Sequence, residues 1–258
     1  DVDSPYLVSL RYLDKELFVD TEQTSETEFP VLLMDWVEGK TLDKYLRENL
    51  DDKYALEMLA YRFSQLAQWL IPQPFAHGDL KPDNILVRED GTLVLVDYDG
   101  MYVPAMKGQK ARELGSPDFR HPLRTENDFD EHIDDFPLVS ILLSLKAICL
   151  FPYYLEKYGA VDRLLFSEKD YRELNKSNIM IRLFLNGNDD INYLISIFNL
   201  VNKRHVLYYE HLDVISSNHL YVANYTDMIC GEEDEIEAYI DNYGVEYSKN
   251  CTKLLTCS

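Results

Sequence analysis

The alternation of apolar and polar positions changes period several times along the chain, and each change predicts an element. Residues 6–19 and 29–36 are rich in Val, Leu, Tyr and Phe and flank a polar stretch at 20–28, the signature of two strands joined as a hairpin. At 54–70 the period lengthens: Leu56, Leu59, Ala60, Phe63, Leu66, Ala67 and Leu70 follow the i, i+3, i+4, i+7 rule of an amphipathic helix. Pro72 and Pro74 stop it. Two short β-branched runs, 85–87 and 92–96, surround Arg88-Glu89-Asp90-Gly91, whose Asp-Gly pair predicts a second hairpin. Between 134 and 150 apolar residues occupy nearly every side of the helical wheel, with Pro137 in the first turn where proline is tolerated. Such a helix belongs in the middle of a core. Further helices are expected at 170–185 and 191–201, separated by Asn186-Gly187-Asn188.

Composition narrows the class. The 258 residues include 46% hydrophobic and 12% aromatic side chains, enough to bury a real core. The formal charge of −21, from 46 Asp and Glu against 25 Lys and Arg, argues against a general nucleic-acid or anionic-membrane binder. The apolar run 136–152 is interrupted by Ser140, Ser144 and Lys146 and is shorter than the ~20 residues of a spanning helix. Cys149, Cys230, Cys251 and Cys257 show no C-x-x-C spacing, so free thiols in a reducing compartment, the cytoplasm, are expected.

The chemistry concentrates in two loops. His77-Gly78-Asp79-Leu80-Lys81-Pro82-Asp83-Asn84 lies between the 54–70 helix and the second hairpin. There Asp79 can orient an attacking hydroxyl and accept its proton, and Asn84 offers a neutral carbonyl to Mg²⁺, a hard cation that prefers oxygen. Lys81 stands where a cation neutralises a phosphate in transfer. The second hairpin folds the chain back and returns Asp97, in Val96-Asp97-Tyr98-Asp99-Gly100, beside Asn84. Alone, a His-x-Asp loop is most often a capped turn and Asp-Tyr-Asp-Gly an acidic surface turn. Their combination, spaced by an apolar hairpin and preceded by a suitable helix, is what carries weight.

Together these loops match the H-R-D-x-x-x-x-N and D-F-G segments of protein kinases, and over residues 6–201 the chain resembles the eukaryotic-like protein kinases of bacteria. The resemblance implies an α+β protein kinase-like fold, with ATP and Mg²⁺ as cofactors. It also implies a protein substrate, phosphorylated on Ser or Thr, because Lys at position 81 is the Ser/Thr-kinase pattern. Asp79, Lys81, Asn84 and Ser116 would be catalytic, and Asn84 and Asp97 would hold the metal. Phe29 to Gly39 looks like the last N-lobe strand and the hinge, with Met34 as gatekeeper, the Asp35 carbonyl and Val37 amide at the adenine edge, and Leu86 beneath the ring. Gly115-Ser116-Pro117-Asp118-Phe119-Arg120-His121-Pro122 resembles the G-T-P-x-Y-x-A-P-E end of an activation segment, in which Ser116 would hold Lys81 and Asp79. Asp134 or Asp135 matches the acidic residue that bonds the catalytic-loop backbone.

Departures from the pattern carry expectations too. Gly78 replaces the Arg that reads activation-loop phosphorylation, Asp99 replaces a Gly, and Leu123 replaces a Glu that makes an ion pair. The 101–114 loop offers only Tyr102 for phosphorylation, so constitutive activity or control from elsewhere is expected. Nothing before Tyr6 matches a glycine-rich loop or a V-A-I-K strand, so the chain is read as a partial N-lobe (1–36), a C-lobe (37–203) and an extension (204–258). As a fragment it should show negligible phosphotransfer. The extension has a short acidic run at 232–237, and 243–255 resembles the opening of leucine-rich repeats of bacterial surface-antigen type. Two alternatives accompany this reading, a pseudokinase scaffold and a small-molecule kinase of the aminoglycoside or choline type.

Overall fold

β1 (Leu10–Phe18) and β2 (Glu28–Met34) pair antiparallel, Leu10 opposite Met34 and Phe18 opposite Glu28. This is a computed structural model, and it describes residues 4–186, 188–203 and 207. The register shifts between Leu13 and Leu17, where Lys15 has a φ of 56°, so the ribbon bulges. Its apolar residues, among them Tyr12, Phe18, Leu32 and Leu33, remain exposed. The first strand starts later than its sequence pattern suggests, because residues 6–8 leave the ribbon to dock on the helical body. The Tyr6 carbonyl accepts the Leu95 amide at 2.8 Å, the Tyr6 ring lies 5.1 Å from Trp69, and Val8 is buried.

A second sheet, ordered β3-β4-β5, joins β3 (Lys40–Thr41), β4 (Ile85–Val87) and β5 (Leu93–Leu95), all antiparallel. α1 (Leu42–Glu48) follows β3 directly. The Thr41 hydroxyl caps it by accepting the Lys44 amide, and Leu42 and Leu46, one turn apart, are buried. α2 (Lys53–Leu70) runs one residue beyond its expected start, capped by Asp52.

α3 (Asp135–Leu150) is the central helix, with Leu138, Val139, Ile141, Leu142, Leu143 and Leu145 all at most 1% exposed. Its apolar circumference is matched by contacts on several sides, including α2 and α7 (Asp189–Asn202). Phe136 anchors an aromatic cluster, meeting Tyr171 edge-on at 4.8 Å and Phe198 at 5.5 Å. α4 (Tyr153–Tyr158) returns the chain along α3.

The single helix expected at 170–185 is two. α5 (Glu168–Arg172) begins at a capping box made by Ser167 and Asp170, and α6 (Asn178–Leu185) begins where the Ser177 side chain accepts the Met180 amide. A capping serine in mid-pattern ends the first helix in a 3₁₀ turn, Leu174–Lys176. Asn188 caps α7 in the same way, through the Ile191 amide.

No helix among the described residues is long and apolar enough to cross a membrane. Burial pushes the Cys149 thiol up to about 11, which keeps it protonated. The other three cysteines, the acidic run and the repeat-like stretch lie outside the described residues.

Candidate active site

The loop between α2 and β4 is held from below by α3. The Asp134 carboxylate, at the start of that helix, accepts the backbone amides of His77 and of Gly78, the latter at 2.9 Å. This decides between the two acidic residues: Asp135 faces elsewhere, accepting the Leu207 amide at 2.8 Å with His132 at 3.2 Å. The His77 ring is fully buried and its Nε2 lies 2.9 Å from the Val96 carbonyl, which ties this loop to the one carrying Asp97.

Asp79 is the centre of the cluster. Its Oδ1 accepts the Ser116 backbone amide at 2.8 Å, and its Oδ2 pairs with Lys81 Nζ at 2.8 Å. Gly115 makes the first contact possible, because it has a φ of +73° and an added Cβ would lie 3.0 Å from Asp79 Oδ1. Ser116 thus reaches Asp79 through its main-chain amide, and its side chain also favours the ionised carboxylate. Burial pushes the Asp79 carboxyl up, but the Lys81 ammonium and the Ser116 amide outweigh it, leaving the group below the ordinary aspartate value. Asp79 in turn raises Lys81. The pair is therefore an anion beside a cation at neutral pH.

Asn84 closes the loop. Its side-chain amide donates to the Asp79 carbonyl at 2.9 Å and to Oδ2 at 3.3 Å. The nitrogen is committed, and the carbonyl oxygen is left as the atom a hard cation takes. The Asn84 carbonyl accepts the Val96 amide at 3.0 Å, which brings Asp97 alongside. Asp97 is exposed and has a φ of 66°, a left-handed conformation uncommon outside glycine and concentrated at functional sites. Behind it, the Tyr98 hydroxyl donates to the Leu95 carbonyl at 2.6 Å and accepts the Val8 amide at 3.0 Å. These two bonds fix the aromatic residue between the loop and the docked N-terminal segment. Among the described residues no three His, Cys, Asp or Glu side chains converge as a self-sufficient metal cage. One carboxylate and one amide oxygen suit Mg²⁺, which completes its shell with water and phosphate oxygens.

The segment after Gly115 is anchored on the core. Phe119 is 4% exposed, the Asp118 carboxylate accepts the Glu168 amide at 2.8 Å, and its carbonyl accepts the Tyr171 hydroxyl at 2.6 Å. A cavity of about 380 Å³ opens between this segment and Lys81, walled in part by Ser116, Pro117, Asp83, Asp43 and Asp162. Tyr102, in the preceding loop, is 3% exposed and bridges to Ala76.

Of the residues singled out by sequence, Asp79, Lys81, Asn84, Ser116 and Asp97 come together. Leu86 lies on β4 against the chain at Gly39, where an added Cβ would stand 3.4 Å from its own. Met34 ends β2, the Asp35 amide donates to the Ser9 carbonyl at 3.3 Å, and Val37 borders an open recess with Trp36, Glu38 and Arg88. Arg124 escaped sequence reading altogether. It donates to the Gly78 carbonyl at 2.8 Å, and only its place two residues past Pro122 could have drawn notice.

Residues 19–114, from the end of β1 to the residue before Gly115, match the ABC1 atypical kinase-like domain. Serine/threonine-protein kinase WAG2 of Arabidopsis thaliana is 27% identical over 98 residues, 35% of this chain and 20% of the relative. Sperm motility kinase 2A of Mus musculus is 32% identical over 104 residues, 39% of this chain and 20% of the relative. An Aurora kinase of Eremothecium gossypii is 29% identical over 111 residues, 42% and 30%. The chain thus spans between a fifth and a third of the length of these relatives. The fold is protein kinase-like, of mixed α+β class, and the similarities are those of a kinase-type enzyme.

Proposed function

We propose that this chain carries the catalytic part of a protein kinase that transfers the γ-phosphoryl group of ATP to Ser or Thr hydroxyls of a protein substrate. The observation that supports it most is the Asp79 cluster, one carboxylate fixed by the Ser116 amide and Lys81 and braced by Asn84. Asp79 orients the acceptor hydroxyl and takes its proton, a role for which a carboxylate kept ionised is suited. Lys81, freed from Asp79 when the phosphate arrives, meets the transferring group. Asn84 and Asp97 would hold Mg²⁺, which neutralises charge on the phosphate oxygens when bound. The chain's own contribution is positioning and charge, because phosphoryl transfer asks little covalent chemistry of the protein. Met34, Asp35, Val37 and Leu86 would border the adenine, residues 1–36 and 37–203 forming N-lobe and C-lobe parts. The nearer kinship to bacterial eukaryotic-like kinases rests on the motif residues quoted above.

One observation favours a second acceptor class. Gly78 makes the loop His-Gly-Asp, as in small-molecule kinases, and the domain matched is an atypical one. Assays offering casein-like polypeptides beside small alcohols and amines separate the two. The nucleotide role itself is tested by calorimetric titration of the full-length protein with ATP, with and without Mg²⁺. Asp97→Ala should abolish most of the Mg²⁺-dependent gain in affinity; an unchanged gain would remove Asp97 from the metal site.

A further inference from the structure

Position 78 cannot carry the arginine that the motif leads one to expect there. Gly78 has a φ of +84°, and a Cβ would run into the Gly100 carbonyl. A guanidinium nevertheless reaches the same peptide from another part of the chain. Arg124 Nη1 donates to the Gly78 carbonyl at 2.8 Å, while the Gly78 amide donates to Asp134 at 2.9 Å. The residue that leads into Asp79 is thus gripped at both its hydrogen-bonding atoms, by a cation on one side and an anion on the other.

Arg124 makes this contact at a cost. Its Nε and Nη2 are enclosed without a hydrogen-bond partner among the described residues, and unsatisfied buried donors are expensive. Burial pushes its pKa down, with Asp134 and then Asp79 and Asp128 acting against that and Arg120 adding to it. A costly group facing Asp79 of the candidate site and the Asp134 that anchors its loop is better explained by what it holds there than by stability.

We propose that Arg124 is a positioning residue for phosphoryl transfer, clamping the Gly78 carbonyl so that Asp79 is presented in one orientation. As a role in transfer this rests on the function proposed above; as a clamp on the loop it does not. Misplacing a base by a fraction of an ångström slows the chemical step without touching nucleotide binding.

The test uses the full-length protein with Arg124→Met and Arg124→Lys, measuring kcat, the Kd of Mg·ATP, and amide hydrogen exchange at residues 77–80. We expect Arg124→Met to lower kcat by about ten- to a hundredfold with Kd unchanged, and to speed exchange at Gly78 and Asp79 while α2 and α3 stay protected. Arg124→Lys, which restores a donor and a charge, should recover part of both. Unchanged kcat in Arg124→Met overturns the proposal, and so does a joint fall of kcat, nucleotide affinity and α3 protection that Lys does not relieve. If the parent protein transfers no phosphate, the proposed function fails and exchange alone decides the clamp: faster exchange confined to the loop upholds it, and unaltered exchange overturns it.

Discussion

Replacing Asp134 with alanine should be among the most damaging single changes in this chain, although the residue touches neither nucleotide nor acceptor in the proposed function. It is 3% exposed and accepts two main-chain amides, those of His77 and Gly78. Truncation leaves both N–H groups buried without an acceptor, each costing about 1–3 kcal/mol. It also strips the half-buried Arg124 guanidinium of its strongest opposite charge. The two orphaned amides together set an expected total of about 4 kcal/mol. Asp134→Asn keeps one acceptor oxygen but turns an NH₂ toward the second amide, and should lose about half of that. Equilibrium urea unfolding of the chain reads this out, with Trp69, packed against Tyr6 and Phe75, as the fluorescent reporter. Asp135→Ala is the control. That carboxyl is also buried, but burial raises its pKa, so its removal relieves part of a cost already present. A loss below about 1 kcal/mol for Asp134→Ala, or a loss no larger than that of Asp135→Ala, would refute the assignment of Asp134 as the anchor of the loop.

Gly78→Ala should destabilise the chain by at least about 1–2 kcal/mol, the cost of forcing an L-residue into a left-handed conformation, and by more through collision with Gly100; denaturation and phosphotransfer should fall together, and a neutral result would mean that the loop adopts another backbone. His132 gives a pH test. The Asp135 carboxyl 3.2 Å away holds it above its ordinary value, so the stabilisation it contributes is complete below about pH 6.5 and is lost as pH rises through the higher folded value. His132→Gln should flatten the fall in stability across that neutral window, and identical pH profiles for parent and variant would count against the pair.

How much of this could be read from the sequence depended on whether a feature is local. α2 was legible because its buried positions repeat every three to four residues, and α3 because an all-apolar helix has only the core to go to. The catalytic-loop residues were legible for a different reason: spacing along the chain fixes Asp79, Lys81 and Asn84 within one loop, and the β4–β5 hairpin returns Asp97 to them. α1 was missed though its signal was present, a capping Thr41 followed by Leu42 and Leu46 one turn apart. The 170–185 helix was misread because hydrophobic period outweighed Ser177, whose side chain prefers to cap. Arg124 was invisible because its partner lies 46 residues away and its role follows from a backbone angle at Gly78. The choice between Asp134 and Asp135 likewise waited on α3's rotation about its axis, which two adjacent aspartates cannot announce.

The most direct test of the central claim is transfer of radiolabelled phosphate from Mg·ATP to a Ser/Thr-containing polypeptide by the full-length protein, comparing the parent with Asp79→Asn. Asn at this position keeps the size and the hydrogen bond from the Ser116 amide but cannot take a proton. The proposed chemistry predicts loss of about 10²–10⁴-fold in turnover, on serine and threonine alike, with the Kd of Mg·ATP within a few fold of the parent. Undiminished transfer by Asp79→Asn would contradict it.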